Sequence, residues 1–184
     1  FAVDPIDGTD SFSQGMPGWS ISIGVLDSQL SPVAGIVYAP AWDGMFFADV
    51  GQRATYNGTR LPAPSPPESI NHRTNLLVDS RIHLLVNLDE YPGKLRSMGS
   101  TAIHLCGPLL YGAVIGAVSR GASIWDLAGA HAVNASLGQT VEYFGGGDVT
   151  YDQMTDGSTA SDMVIAGTDV GKRLIRQTLE ARSG

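Results

Sequence analysis

DPIDGTDSF, Asp4 to Phe12, holds three carboxylates, Asp4, Asp7 and Asp10, with no basic residue among them. Like charges this close shift one another's pKa, so such a cluster persists by being solvated, by sharing protons or by facing a cation. Pro5 stands second in the quartet Asp4 to Asp7, where its fixed φ predicts a type I turn that draws the first and fourth residues together. Two carboxylates then converge. Gly8 and Thr9 follow, so the chain can bend sharply and offer backbone N–H groups and a hydroxyl beside the acidic pair. Carboxylates that gather Mg²⁺, amides that take phosphate oxygens and a hydroxyl that orients water are the parts of a metal-assisted phosphate hydrolase. The residues alone leave a second reading open, an Asx-type turn in which Asp4 and Asp7 only cap backbone amides.

The rest of the chain narrows the partners. Its 184 residues, 43% hydrophobic and 16% charged, suffice for one large domain or two modest ones. Eleven Lys and Arg against 18 Asp and Glu leave a net charge of −7, which disfavours nucleic acid. No Arg/Lys cluster is visible in the sequence, so a phosphorylated substrate would be met by metal ions or backbone amides. Cys106 is the only cysteine, which excludes an intrachain disulfide and a cysteine zinc site and fits a reducing, cytoplasmic setting. The longest apolar run, residues 109–118, contains Gly112 and Gly116 and falls short of the roughly 20 residues of a membrane span.

Outward from the acidic turn, residues 1–3 read as the end of a strand, and an upstream segment is expected. Residues 19–26 (WSISIGVL), 32–39 (PVAGIVYA) and 45–50 (MFFADV) predict antiparallel strands, and Asn57-Gly58 predicts a tight turn between two more. LPAPSPP, 61–67, carries four prolines and marks a linker, dividing the chain into 1–67 and 68–184. Beyond it, strands are expected at 75–79, 94–96, 114–119, 140–144 and 163–166. Helices are expected at 100–112, with Cys106 as buried filler, at 123–137, and at 169–182 with its basic residues away from the apolar stripe. FGGGD, 144–148, reads as a turn.

A second acidic element lies at Trp125-Asp126-Leu127-Ala128-Gly129, where Asp126 alone reads most simply as a helix N-cap. DPIDGTDSF together with IWDLAGA resembles the inositol monophosphatase family of Mg²⁺-dependent, lithium-sensitive phosphatases, whose signatures are a DPxDGT turn and a downstream WDxAG element. LRSMGSTAIHLC, 95–106, is similar to the family's intervening segment, and the order of strands and helices follows the same plan. The resemblance implies an α/β (α+β) fold, the layered α-β-α-β-α sandwich of the inositol monophosphatase and fructose-1,6-bisphosphatase type, with its N-terminal portion missing.

It further implies two or three Mg²⁺ ions, with Asp4 bridging, the main-chain carbonyl of Ile6 ligating one ion, and Asp7 and Asp126 ligating another. Gly8 and Thr9 would hold the phosphate through their amides, the Thr9 hydroxyl would help position the attacking water, and Gly99, Ser100, Thr101 and Asp126 would meet the substrate. An aspartyl-phosphate route is disfavoured, since Ile6 stands two residues after Asp4, where such enzymes place a second acid. The substrate class is a small phosphomonoester, inositol 1-phosphate-like, or, on the same fold, fructose 1,6-bisphosphate, histidinol phosphate or a 3′-phosphoadenosine phosphate. A homodimer is the expected assembly, with no nucleic-acid or membrane partner.

Two departures from the family qualify this. The family's water-activating glutamate lies upstream of DPxDGT, so the chain reads as a fragment; the alternative is a catalytically silent metal- or anion-binding relative. Ser119 stands where inositol-selective members carry an acid that reads sugar hydroxyls, which predicts weaker discrimination among polyols. His72, His83, His104 and His131 show no spacing that converges on the acids, and Asp10 reads as a solvated bystander.

Overall fold

The computed structural model describes residues 1–181. Its first half is an antiparallel meander in which the strands follow chain order: β1 (Ala2–Asp7), β2 (Ser20–Leu26), β3 (Pro32–Ala39), β4 (Gly44–Ala48), β5 (Thr55–Tyr56) and β6 (Thr59–Arg60). Asn57 and Gly58 take φ of 47° and 78°, the left-handed pair that a two-residue hairpin between twisted strands requires. Alternation sorts the faces. Ser20, Ser22, Gly24, Gly35, Val37 and Phe46 point inward, whereas Val3, Ile23, Ile36 and Phe47, in register across four strands, form an outer face that is half-buried to exposed.

The acidic stretch departs from its expected local form. Asp4 to Asp7 is not a type I turn but part of β1, and the strand is bulged there: Asp4 pairs with Ser22 and Asp7 with Ser20, three residues along β1 against two along β2. In an unbroken strand, residues three apart face opposite sides. The extra residue restores both carboxylates to one side, so the convergence expected from a turn is produced by register instead. Gly8, at φ 89°, ends the strand and starts a single helical turn that the sequence reading missed, α1 (Thr9–Ser13).

The second half builds a mixed sheet from β7 (Asn75–Val78), β9 (Lys94–Arg96), β10 (Val114–Ser119), β11 (Val141–Tyr143) and β12 (Val164–Ala166), in the order β11-β12-β10-β7-β9. The neighbours β10, β7 and β9 are parallel, and β10 is buried along its whole length, as a strand covered on both faces must be. A short pair, β8 (Val86–Asn87) with β13 (Glu180–Ala181), completes the strands.

Two helices lie between the sheets. α2 (Thr101–Leu110) packs on β10 and β7, and α3 (Ile124–Ala135) packs on β2 and β3 while touching α2. α3 approaches the first sheet closely because its contact is made of small residues: a Cβ on Gly129 would lie 2.8 Å from Ser22 Oγ and 2.9 Å from the carbonyls of Ile23 and Ile36. One hydrophobic cluster, including Val37, Leu105, Leu127 and Ala117, joins the first sheet, both helices and the second sheet across the 61–67 run. Cys106 is buried within it, as expected.

A second cluster, including Ile115, Ile165 and Ile175, lies on the far face of the second sheet under α4 (Asp169–Thr178). The layers therefore run sheet, helices, sheet, helix, four of the five expected. The helix expected over 169–182 ends at Thr178, because Leu179 turns extended to bury its side chain and Glu180–Ala181 pair with β8; Arg182 lies outside the described residues. Lys172, one of the basic residues of α4, is only 1% exposed, and its Nζ meets Glu142, Thr140 Oγ1 at 2.6 Å and Asp169 at 3.2 Å. No described helix is long and apolar enough to cross a membrane.

Candidate active site

The bulged β1 and the first turn of α3 bring together carboxylates that are 119 residues or more apart in sequence. One oxygen from each of Asp4, Asp7 and Asp126 lies within 4.8 Å of the others. Each carboxylate also uses an oxygen on a backbone amide. Asp4 Oδ1 accepts from the Ile6 N–H at 2.9 Å, and Asp126 Oδ2 from the Ser123 N–H at 2.7 Å. Asp126 is therefore not the N-cap; Ser123 is, and Asp126 reaches back from the third helical position.

Asp7 is held by a different helix. Its Oδ2 accepts from the Ser100 hydroxyl, the Ala102 N–H at 2.8 Å and Ser20 Oγ at 3.4 Å, while Oδ1 has only the Thr101 N–H at 3.2 Å. The carboxylate thus sits on the N-terminus of α2, where unpaired amides and the helix dipole favour negative charge. The carboxylates therefore accept from backbone amides and still converge.

Their electrostatics are strained. Burial pushes the Asp7 carboxyl up to about 6 against the opposing hydrogen bonds from Ser100, Ala102 and Thr101, and the charge of Asp4 adds to the rise. Burial, then the hydrogen bond to Asp4 and the charge of Asp7, push Asp126 up to about 8. Among the described residues no Lys or Arg pairs with any of the three. Three oriented carboxylates without a countercharge among the described residues are a hard-oxygen donor set that fits Mg²⁺. The carbonyl of Ile6, between Asp4 and Asp7 in sequence, accepts the Thr9 hydroxyl at 3.0 Å.

A cleft of about 830 Å³ opens beside the cluster. Asp7, Gly8 and Thr9 line it, with Gly99 and Thr101 among the residues around it. Ser100 is placed otherwise: it is fully buried, its hydroxyl bonded to Asp7 and Ser20, so it orients a carboxylate and does not face the cleft. Asp10 borders the cleft but lies outside the three-acid group, with Oδ1 accepting from Gln14 Nε2 at 2.9 Å. Ser119 is 1% exposed with an unpartnered hydroxyl, and it is the next residue, Arg120, that reaches the cleft. The histidines stay apart from the acids. His104 Nε2 accepts the Met98 N–H at 2.7 Å, and His131 Nδ1 meets the Tyr151 hydroxyl at 3.0 Å.

Sequence reading missed Asp79, Ser80, Arg81 and Arg120, all of which line the cleft. A usable signal existed. Asp79 and Arg120 directly follow β7 and β10, and ligands gather at the carboxyl ends of parallel strands.

Comparison with known proteins agrees with this architecture. A profile of the inositol monophosphatase family matches residues 1–181. An inositol-1-monophosphatase of Mesorhizobium japonicum is 29% identical over 191 residues, covering 97% of this chain and 66% of that protein. The inositol-1-monophosphatase ImpA of Mycolicibacterium smegmatis is 30% identical over 163 residues, covering 83% of this chain and 58% of its own length. The chain therefore spans less than two thirds of either relative. Among solved structures, the extragenic suppressor protein suhB of Bartonella henselae superposes with a TM-score of 0.76 at 26% identity, over 96% of this chain and 70% of that one. The chain belongs to the inositol monophosphatase family.

Proposed function

We propose that the protein is a Mg²⁺-dependent phosphomonoesterase acting on a small polyol or sugar phosphate. The observation that carries this reading is the convergence of Asp4, Asp7 and Asp126 within 4.8 Å, each steadied by a backbone amide and none neutralised by a base among the described residues. Asp4, Asp7, Asp126 and the carbonyl of Ile6 are the groups that would hold the ions. When bound, Mg²⁺ supplies positive charge against the phosphate oxygens and lowers the pKa of water.

The remaining work falls to the chain. The amides of Gly8 and Thr9, on the cleft wall, take phosphate oxygens. The Thr9 hydroxyl gives its proton to the Ile6 carbonyl and so keeps its lone pairs for a proton of the attacking water. Ser100, Thr101 and Ala102 fix the Asp7 carboxylate from the start of α2, which holds the acidic group in place during turnover.

The test is phosphate release by the full-length protein from inositol 1-phosphate, fructose 1,6-bisphosphate, histidinol phosphate and 3′-phosphoadenosine 5′-phosphate. Release that needs Mg²⁺ and stops with a chelator is expected. No release from any of the four would favour a silent metal- or anion-binding relative instead.

A further inference from the structure

Among the described residues, Arg81 and Arg120 are the two bases that line the cleft, although 39 positions separate them in a chain with few cations. Asp79 brings them together: its Oδ1 accepts the backbone N–H of Arg81 at 2.8 Å and Nε of Arg120 at 2.9 Å. The parallel pairing of β7 and β10 sets this up, since the Asp79 N–H also bonds the Val118 carbonyl at 3.2 Å, locking one strand end to the other. The Arg120 guanidinium keeps its two terminal nitrogens, and the Arg81 side chain all of its donors, without a hydrogen-bond partner among the described residues.

Two arginine side chains with open donors, on the loops that follow β7 and β10 and lining a cleft too large for a phosphate alone, make a receiver for an anion. We propose that this wall binds a second anionic group of the substrate, so that the preferred substrate is a phosphomonoester carrying another phosphate or a carboxylate. The inference rests on the phosphatase reading above and refines its substrate class. It also explains why Ser119 need not read hydroxyls: the adjacent Arg120 reads charge.

The experiment compares kcat/KM for fructose 1,6-bisphosphate and for inositol 1-phosphate in the full-length protein, Arg120→Gln, Arg120→Lys and Arg81→Gln. The bisphosphate-to-monophosphate ratio should fall about tenfold in Arg120→Gln, mainly through KM, less in Arg120→Lys, which keeps charge but loses the fork, and measurably in Arg81→Gln. A ratio within about twofold of wild type in both glutamine variants would overturn the assignment. Calorimetric binding of fructose 1,6-bisphosphate reads the same arginines without turnover. There, Kd should weaken about fivefold or more in Arg120→Gln, and an unchanged Kd would overturn the assignment even if no substrate were hydrolysed. Absence of phosphate release with an arginine-dependent Kd would instead remove the phosphatase reading and leave the anion site standing.

Discussion

Two polar clusters in this molecule handle buried charge in opposite ways. Around Glu142, Lys172 and Arg176 converge from α4 together with Thr140, and although burial alone would raise the Glu142 carboxyl, these partners hold it down to about 2. Around Asp4, Asp7 and Asp126 no base approaches among the described residues, and Asp7 and Asp126 rise to about 6 and about 8. The first cluster pairs its carboxylate with bases and joins α4 to β11. The second is oriented by backbone amides and left without a base among the described residues, an arrangement that suits the proposed cation site and differs from a structural ion pair.

Substitutions should separate the two clusters by sign. Asp126→Asn keeps an oxygen for the Ser123 N–H but removes a charge, so phosphate release should fall on the order of a thousandfold. Its melting temperature in chelator should not fall below that of wild type. A stabilising role for the charge would show as a lower one. Glu142→Gln should do the reverse, leaving buried Lys172 with only the solvent-exposed Asp169 as a countercharge and costing about 3 kcal/mol, roughly 10 °C in Tm, with activity per folded molecule retained well below the transition. Because the folded pKa of Glu142 lies below its unfolded value, its contribution is present above about 4.5 and is lost as pH falls towards about 2. The Tm gap between Glu142→Gln and wild type should therefore close over that window, and a constant gap would break the comparison. Gly129→Ala should destabilise less than Glu142→Gln, by about 1–3 kcal/mol from overpacking against Ser22 and the two carbonyls. By moving α3 off the first sheet it should still lower kcat, because Asp126 rides on that helix; kinetics and melts on one sample would check both.

Much of this was legible in the sequence. Period-two alternation located β2 and β3, the Asn57-Gly58 pair located its hairpin, and the two motifs located the acids that converge. What escaped depended on partners distant in sequence. The bulge in β1 exists only in register with Ser20 and Ser22, so Pro5 suggested a turn where the chain stays extended. Ser100 looked like a cap that could meet substrate, but Asp7, from 93 residues upstream, takes its hydroxyl. The burial of Lys172 could not be read from α4 alone, because its partner Glu142 comes from β11. Arg81 and Arg120, isolated along the chain, meet through Asp79 only once β7 and β10 lie parallel.

The open charge of the three-carboxylate group is tested most directly by calorimetric titration of Mg²⁺ into the metal-stripped, full-length protein and its Asp126→Asn variant. Saturable binding in wild type, with affinity reduced about tenfold or more in the variant, is the predicted result. No binding heat, or superimposable isotherms, would contradict the assignment of Asp4, Asp7 and Asp126 as a cation site.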